Sequence, residues 1–362
     1  MITEHNFRFC LTIVAFLFFQ KCIAQNQEST ANKSVFYNPE ILIGKTLEAN
    51  TFFPETNLQK NLFFSIGKYN FDKEKEWAAR LNYPKTRISF GYTDFGNSKK
   101  VGHAYSVLPF IEFSVFKKQL DGLNLHIGFG ASFMDMQYDV NSNPFNKAIT
   151  TQINWSFRSF LYYDVFKSNS VDWRFGLGYL HHSNGHTKLP NQGLNSLAAS
   201  VSAKIDAPSN NTDNFKKPFF KTKSQTYFAF RFGIGQNVLS EKFNSKKEVF
   251  TISASVGKII NNTFKFGGGF YYRFYKHYYD YIKNNETLVE EQFPHFNDNP
   301  YGYATNFGLF ATSELLLDHI GFEFDLGVNI FKPFYKIDWQ LNQGYTYDNG
   351  NGETVEVLGE LN

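Results

Sequence analysis

In the stretch Val171-Asp172-Trp173-Arg174-Phe175-Gly176-Leu177-Gly178-Tyr179-Leu180-His181-His182-Ser183, the odd positions are bulky and apolar up to Tyr179, while the even ones are mostly polar or small. Side chains on a β-strand alternate between faces, so the two sets line opposite surfaces. An apolar stripe opposite a polar one is the lipid-out, lumen-in pattern of an outer-membrane barrel strand, the reverse of a soluble barrel. The next strand repeats it, with Leu197, Ala199, Val201, Ala203 and Ile205 against Ser196, Ser200, Ser202, Lys204 and Asp206. His181 and Ser183 continue the apolar parity, and Asn195 and Gly193 share the outward parity of the following strand. Three polar side chains, His181, Ser183 and Asn195, therefore converge on one outward patch at the end of the lipid-facing stripe.

Working outward, the same alternation recurs along the chain. Stripes run through Leu123–Phe133, Ile153–Val165, Phe228–Ile234, Phe250–Val256, Phe264–Phe274, Phe307–Leu315 and Ile320–Ile330, and less regular strands lie near 38–48, 60–70, 86–94 and 104–116. The content of 43 Phe and 21 Tyr, with 19% aromatic residues overall, exceeds that of an ordinary soluble domain. A lipid-facing aromatic band around a polar lumen reconciles it with a slightly negative mean hydropathy. A soluble β-sandwich would not carry so many ten-residue aromatic stripes. The expected fold is all-β: a transmembrane antiparallel outer-membrane barrel, one domain spanning 38–334. The strands number about 13, and because single-chain bacterial barrels have an even number, 12 or 14 is expected.

Residues 1–24 read as a secretory signal. An apolar run of about 11 residues from Phe9 to Phe19 follows Arg8 and precedes Ala24, too short for a spanning helix of ~20 residues. Gln20-Lys21 before Cys22 argue against a lipoprotein signal. Both cysteines, Cys10 and Cys22, lie in this segment, which excludes disulfides and cysteine chemistry from the mature chain. Residues 25–37 are expected to form an N-terminal periplasmic segment, and 335–362 a polar tail or extracellular loop. That tail lacks the terminal aromatic of a closing strand, so the sequence reads as truncated. A net charge of +3 gives no basis for nucleic-acid binding.

Short connections at 117–121, 167–170, 260–262 and 318–319 fit periplasmic turns, and longer ones at 139–149, 184–192, 237–247 and 280–302 fit extracellular loops. This places the His181/Ser183 patch at the outer leaflet. The long polar segment 207–224 falls on the wrong side for that scheme.

Around the patch, the run His181-His182-Ser183-Asn184-Gly185-His186-Thr187-Lys188-Leu189-Pro190-Asn191-Gln192-Gly193-Leu194-Asn195 gathers a hydroxyl nucleophile, imidazole bases and amide donors. It resembles the active-site signature of the lipid A 3-O-deacylase (PagL) family of outer-membrane barrels, His-x-Ser-Asn, a short gap, then Pro-Asn-x-Gly-x-Glu. His181, Ser183, Asn184, Pro190, Asn191 and Gly193 fit both halves at the right spacing. Asn195 stands where the family has Glu, and the glycine following Ser-Asn is shifted, with Gly185 followed by His186.

The resemblance implies a serine esterase of the outer membrane that removes an ester-linked acyl chain from lipid A of lipopolysaccharide, with membrane lipids around it and no cofactor or metal. It implies Ser183 as nucleophile, His181 as general base and Asn195 as the orienting third member. Asn184, Gly185, His186 and Asn191 would then serve the oxyanion or the loop's orientation. An amide oxygen can hold the imidazole tautomer without supplying the charge of a carboxylate. A homodimer is left open. Other readings remain at this point: a structural or channel barrel with a decayed motif, an outer-membrane phospholipase, and a metal site at His181, His182 and His186. The last is opposed by parity, which turns His182 to the lumen.

Overall fold

The computed structural model describes residues 35–70, 75–115, 122–167, 171–207, 219–348, 351 and 353–358. The expected signal segment and most of the expected periplasmic segment lie outside the described residues. Among those described, no helix is long and apolar enough to cross a membrane.

Among the described residues, thirteen long strands form where alternation predicts them. The first eight are β1 (Val35–Thr46), β2 (Gln59–Tyr69), β3 (Lys85–Asp94), β4 (His103–Ser114), β5 (Leu123–Met134), β6 (Ile153–Lys167), β7 (Val171–Ser183) and β8 (Leu194–Asp206). They close an antiparallel barrel, each pairing with the next and β8 returning to β1 through pairs such as Phe36↔Asp206 and Thr46↔Ser196. An even strand number brings both ends of the barrel to one rim. The expectation of one barrel of 12 to 14 strands over 38–334 is thereby corrected. Closure comes at eight, because the open side of β8 is satisfied by β1.

The remaining long strands, β9 (Ser224–Asn237), β10 (Lys247–Ile260), β11 (Phe264–Tyr275), β12 (Thr305–Leu317) and β13 (Ile320–Phe331), form a separate five-stranded antiparallel sheet. This accounts for the long polar segment 207–224. It is the link between two sheets, so the length rule for hairpin turns does not apply to it. The second sheet has the same two faces. Phe228, Phe230, Phe232 and Ile234 on β9 are each 75–79% exposed. On the opposite, polar face, Arg231 of edge strand β9 pairs with Glu323 of edge strand β13 and lies 3.2 Å from its Asp325. Contact between the two outermost strands means that the sheet is strongly curled. Its concave side is a groove of about 540 Å³ lined by Arg231, Thr251, Tyr271, Arg273 and Asn329 among others.

The barrel exterior is apolar as predicted. Trp173, Phe175, Leu177, Leu197 and Val201 are exposed, whereas Arg174, Leu180, His182, Ser196, Ser200 and Ser202 are buried. The lumen is filled rather than hollow. Leu42, Phe63, Leu108, Phe110, Phe160 and Tyr162 pack inside it. Beside them, Glu112 accepts from Lys85 Nζ at 2.8 Å, Arg87 at 3.1 Å and Arg174 at 3.1 Å, and lies 2.9 Å from His126 Nδ1. Glu40 is held by Arg158 at 2.7 Å, and Asp164 by Arg174 Nε at 3.0 Å. Each of these buried charges faces an opposite one, which offsets the cost of taking it out of water. His126 and Asp164 sit in it, as their parity predicts.

At the rim that carries the 184–193 connection, Phe53, Phe95, Val101, Met134, Ile149 and Leu194 form a second apolar cluster that seats the loops. The described residues of segment 335–362 include a helix and two strands. The helix Tyr335–Gln343 buries Ile337 in a cluster with Leu239, Tyr281 and Phe296, and the strands β14 (Gly344–Asp348) and β15 (Thr354–Leu358) pair with each other.

Candidate active site

The β7–β8 register places His181 directly opposite Asn195, and the β6–β7 register places Ser183 opposite Trp155. His181, Ser183 and Asn195 are all partly exposed on the barrel exterior, as the period-2 reading requires. His181 Nδ1 is 2.7 Å from Asn195 Oδ1. The Tyr179 hydroxyl donates to that same oxygen at 2.5 Å. With this oxygen turned toward the ring, the imidazole donates from Nδ1 and keeps its lone pair on Nε2. Tyr179 is a site residue that the sequence reading left in the apolar stripe. Its signal was its position two residues before His181 on the same face.

Ser183 Oγ is held differently from the expected Ser–His pair. It accepts from Asn191 Nδ2 at 2.9 Å and from the Gly185 N–H at 3.1 Å, and makes no hydrogen bond with His181. Asn191 is itself oriented, because its Oδ1 accepts the Asn184 N–H at 3.1 Å. Asn184 is therefore an organiser of the loop. Its amide also accepts from the Thr187 N–H at 3.2 Å and donates to the Lys188 carbonyl at 2.8 Å. Of the four residues assigned to oxyanion or orientation, Asn191 and Gly185 present donors to Ser183 Oγ and Asn184 positions Asn191. His186 stands exposed on the turn with φ +61°. His182 points to the lumen, where its Nδ1 is 2.7 Å from Ser156 Oγ, well apart in direction from His181.

Two backbone features make room for this arrangement. Gly193 adopts φ +77°, and a Cβ there would lie 2.8 Å from His181 Cε1, so glycine lets the imidazole fold against the loop. The loop is tied to its neighbour, with Gln192 N–H donating to Lys147 O at 3.1 Å and Gly193 N–H to Ala148 O at 3.0 Å. The Thr150 hydroxyl donates to the Pro190 carbonyl. Beside Ser183, exposed Trp155 and Phe129 stack with ring centroids 5.4 Å apart, an apolar platform on the lipid face.

Residues 66–204 match the lipid A 3-O-deacylase (PagL) family. This span runs from β2 into β8 and contains all seven predicted site residues, so the resemblance read from residues 181–195 extends over most of the closed barrel. Solved structures similar to the chain include the outer membrane enzyme PagL, at 16% identity and a TM-score of 0.29, over 46% of this chain and 97% of that one. Neisserial surface protein A is 13% identical, with a TM-score of 0.29, over 49% and 99% of the two chains. A de novo designed transmembrane β-barrel is 10% identical, with a TM-score of 0.24, over 49% and 100%. No curated protein matches the chain. The PagL match ends within β8, before the second sheet begins.

Proposed function

We propose that this chain is an outer-membrane esterase that removes an ester-linked acyl chain from lipid A, with Ser183 as nucleophile and His181 as general base. The observation that carries this reading is the His181–Asn195 hydrogen bond of 2.7 Å beside a serine already held by two donors, all on the lipid face of the barrel. An ester in the bilayer reaches such a site without leaving the membrane. Its acyl chain lies along Trp155 and Phe129, and its carbonyl meets Ser183 at the rim.

Rotation of the Ser183 side chain toward His181 Nε2 opens the reaction. Catalytic hydrogen bonds are often long or unformed before substrate binds. Ser183 Oγ attacks the carbonyl carbon while its proton passes to His181 Nε2. The tetrahedral oxyanion takes over the donors that Ser183 releases, Asn191 Nδ2 and the Gly185 N–H. Asn195 holds the ring in the productive tautomer throughout. The bond between the acyl carbon and the sugar oxygen breaks, that oxygen takes the proton from His181 and leaves as a hydroxyl, and water then hydrolyses the acyl-enzyme by the same route. The family match supports the substrate class. The outward orientation of the 184–193 rim follows the pattern of loop lengths.

Mass spectrometry of lipid A from Gram-negative cells expressing the chain tests this. The expected result is loss of one acyl-chain mass with the parent protein and none with Ser183→Ala, the barrel being folded in both. Identical spectra would sink the proposal.

A further inference from the structure

The site loop is braced from outside the closed barrel. Asn244 lies in the connection between β9 and β10 of the second sheet. Its Oδ1 accepts the Leu189 N–H at 2.9 Å and its Nδ2 donates to the Leu189 carbonyl at 2.6 Å. Two bonds to the N–H and C=O of a single residue reproduce what a neighbouring strand would supply, and they fix the peptide planes on both sides of Leu189. Two residues later comes Asn191, whose amide donates to Ser183 Oγ.

The same connection reaches a second support of the site. Glu241 lies 3.7 Å from Lys147 Nζ, and the Lys147 carbonyl receives the Gln192 N–H. The brace is mounted on a firm base. Leu239 is buried in the apolar cluster with Tyr281, Phe243 packs edge-on against Tyr281 at 5.3 Å, and the Leu239 N–H donates to Phe243 O at 3.2 Å.

We infer that Asn244 is a positioning residue for Ser183, acting through Leu189 and Asn191, and that the second sheet is thereby part of the working enzyme. The inference rests on the reading of Ser183 as nucleophile. Residue 244 lies beyond the stretch that matches the PagL family, so this support comes from the part of the chain the family match does not cover. Without it, the segment from Lys188 to Pro190 keeps only its bonds on the barrel side. The Asn191 donor then loses the fixed placement that stabilisation of a developing oxyanion requires.

The test uses the full chain, folded in detergent, with Asn244→Ala and the near-isosteric Asn244→Asp. The latter turns an oxygen, in place of the N–H donor, toward the Leu189 carbonyl. Folding is checked by the heat-dependent mobility of the barrel on SDS gels. Hydrogen–deuterium exchange over 184–193 is read alongside kcat and KM on purified lipid A. Expected are faster exchange over 184–193 in both variants and a fall of about tenfold in kcat, with KM within about twofold. A residue that only fills space would tolerate Asn244→Asp. Unchanged exchange in both folded variants overturns the brace, and faster exchange with unchanged kcat overturns its role in positioning. If the wild-type chain shows no deacylation, the reading of Ser183 fails, while the exchange data still confirm or overturn the brace.

Discussion

His181 Nδ1 and Asn195 Oδ1 face each other at 2.7 Å across a direct β7–β8 register pair. A neutral amide thus occupies the place where the PagL signature has a carboxylate, and it makes the hydrogen bond that orients the His181 ring. Orientation survives the change, and the electrostatic support of an imidazolium is what it gives up.

Removing this partner should cost more than altering its charge. Asn195→Ala is expected to lower kcat by about 10²-fold, within the range attributed to a positioned general base. Asn195→Glu should equal or exceed the wild type, because a carboxylate accepts the same ring N–H and adds charge. Single-turnover deacylation of lipid A by the three proteins checks this, and a glutamate variant as poor as the alanine one would contradict it.

Tyr179 donates to the oxygen that also meets His181. Tyr179→Phe removes one of the two donors that hold this oxygen toward the ring, and a several-fold fall in kcat is expected. A carboxylate has no wrong end, so the same substitution in an Asn195→Glu background should have little effect. A double-mutant cycle measures that difference, and equal losses in both backgrounds would rule out the orienting role.

Gly193→Ala adds a Cβ 2.8 Å from His181 Cε1 at a residue with φ +77°. The expected outcome is a folded barrel that has lost most activity and is destabilised by about 1–3 kcal/mol, the usual cost of a strained non-glycine backbone. Urea titration in lipid vesicles and the lipid A assay read the two effects separately.

Glu112 gathers Lys85, Arg87, Arg174 and His126 in the barrel lumen, away from the site on the exterior. Glu112→Ala leaves a cluster of buried cations without their anion and should cost about 3–5 kcal/mol of barrel stability. Far below the unfolding midpoint its deacylation rate should match the parent's. A lower rate at full folding would instead link the lumen network to the site.

Alternation along single strands is a local property, and it was legible without coordinates. It set the strand positions, the apolar exterior that now bears Trp173, Phe175 and Leu177, and the shared outward parity of His181, Ser183 and Asn195. Spacing within residues 181–195 likewise marked the candidate site, because a hairpin joins residues that are near in sequence. What the tertiary structure decided is non-local. The return of β8 to β1 at eight strands depends on hydrogen bonds between residues such as Phe36 and Asp206, 170 positions apart, and the alternating pattern is the same on either side of that closure. The donors actually engaging Ser183, and the hold of Asn244 on Leu189 from another sheet, depend on loop conformations and sheet placement that no period in the sequence encodes.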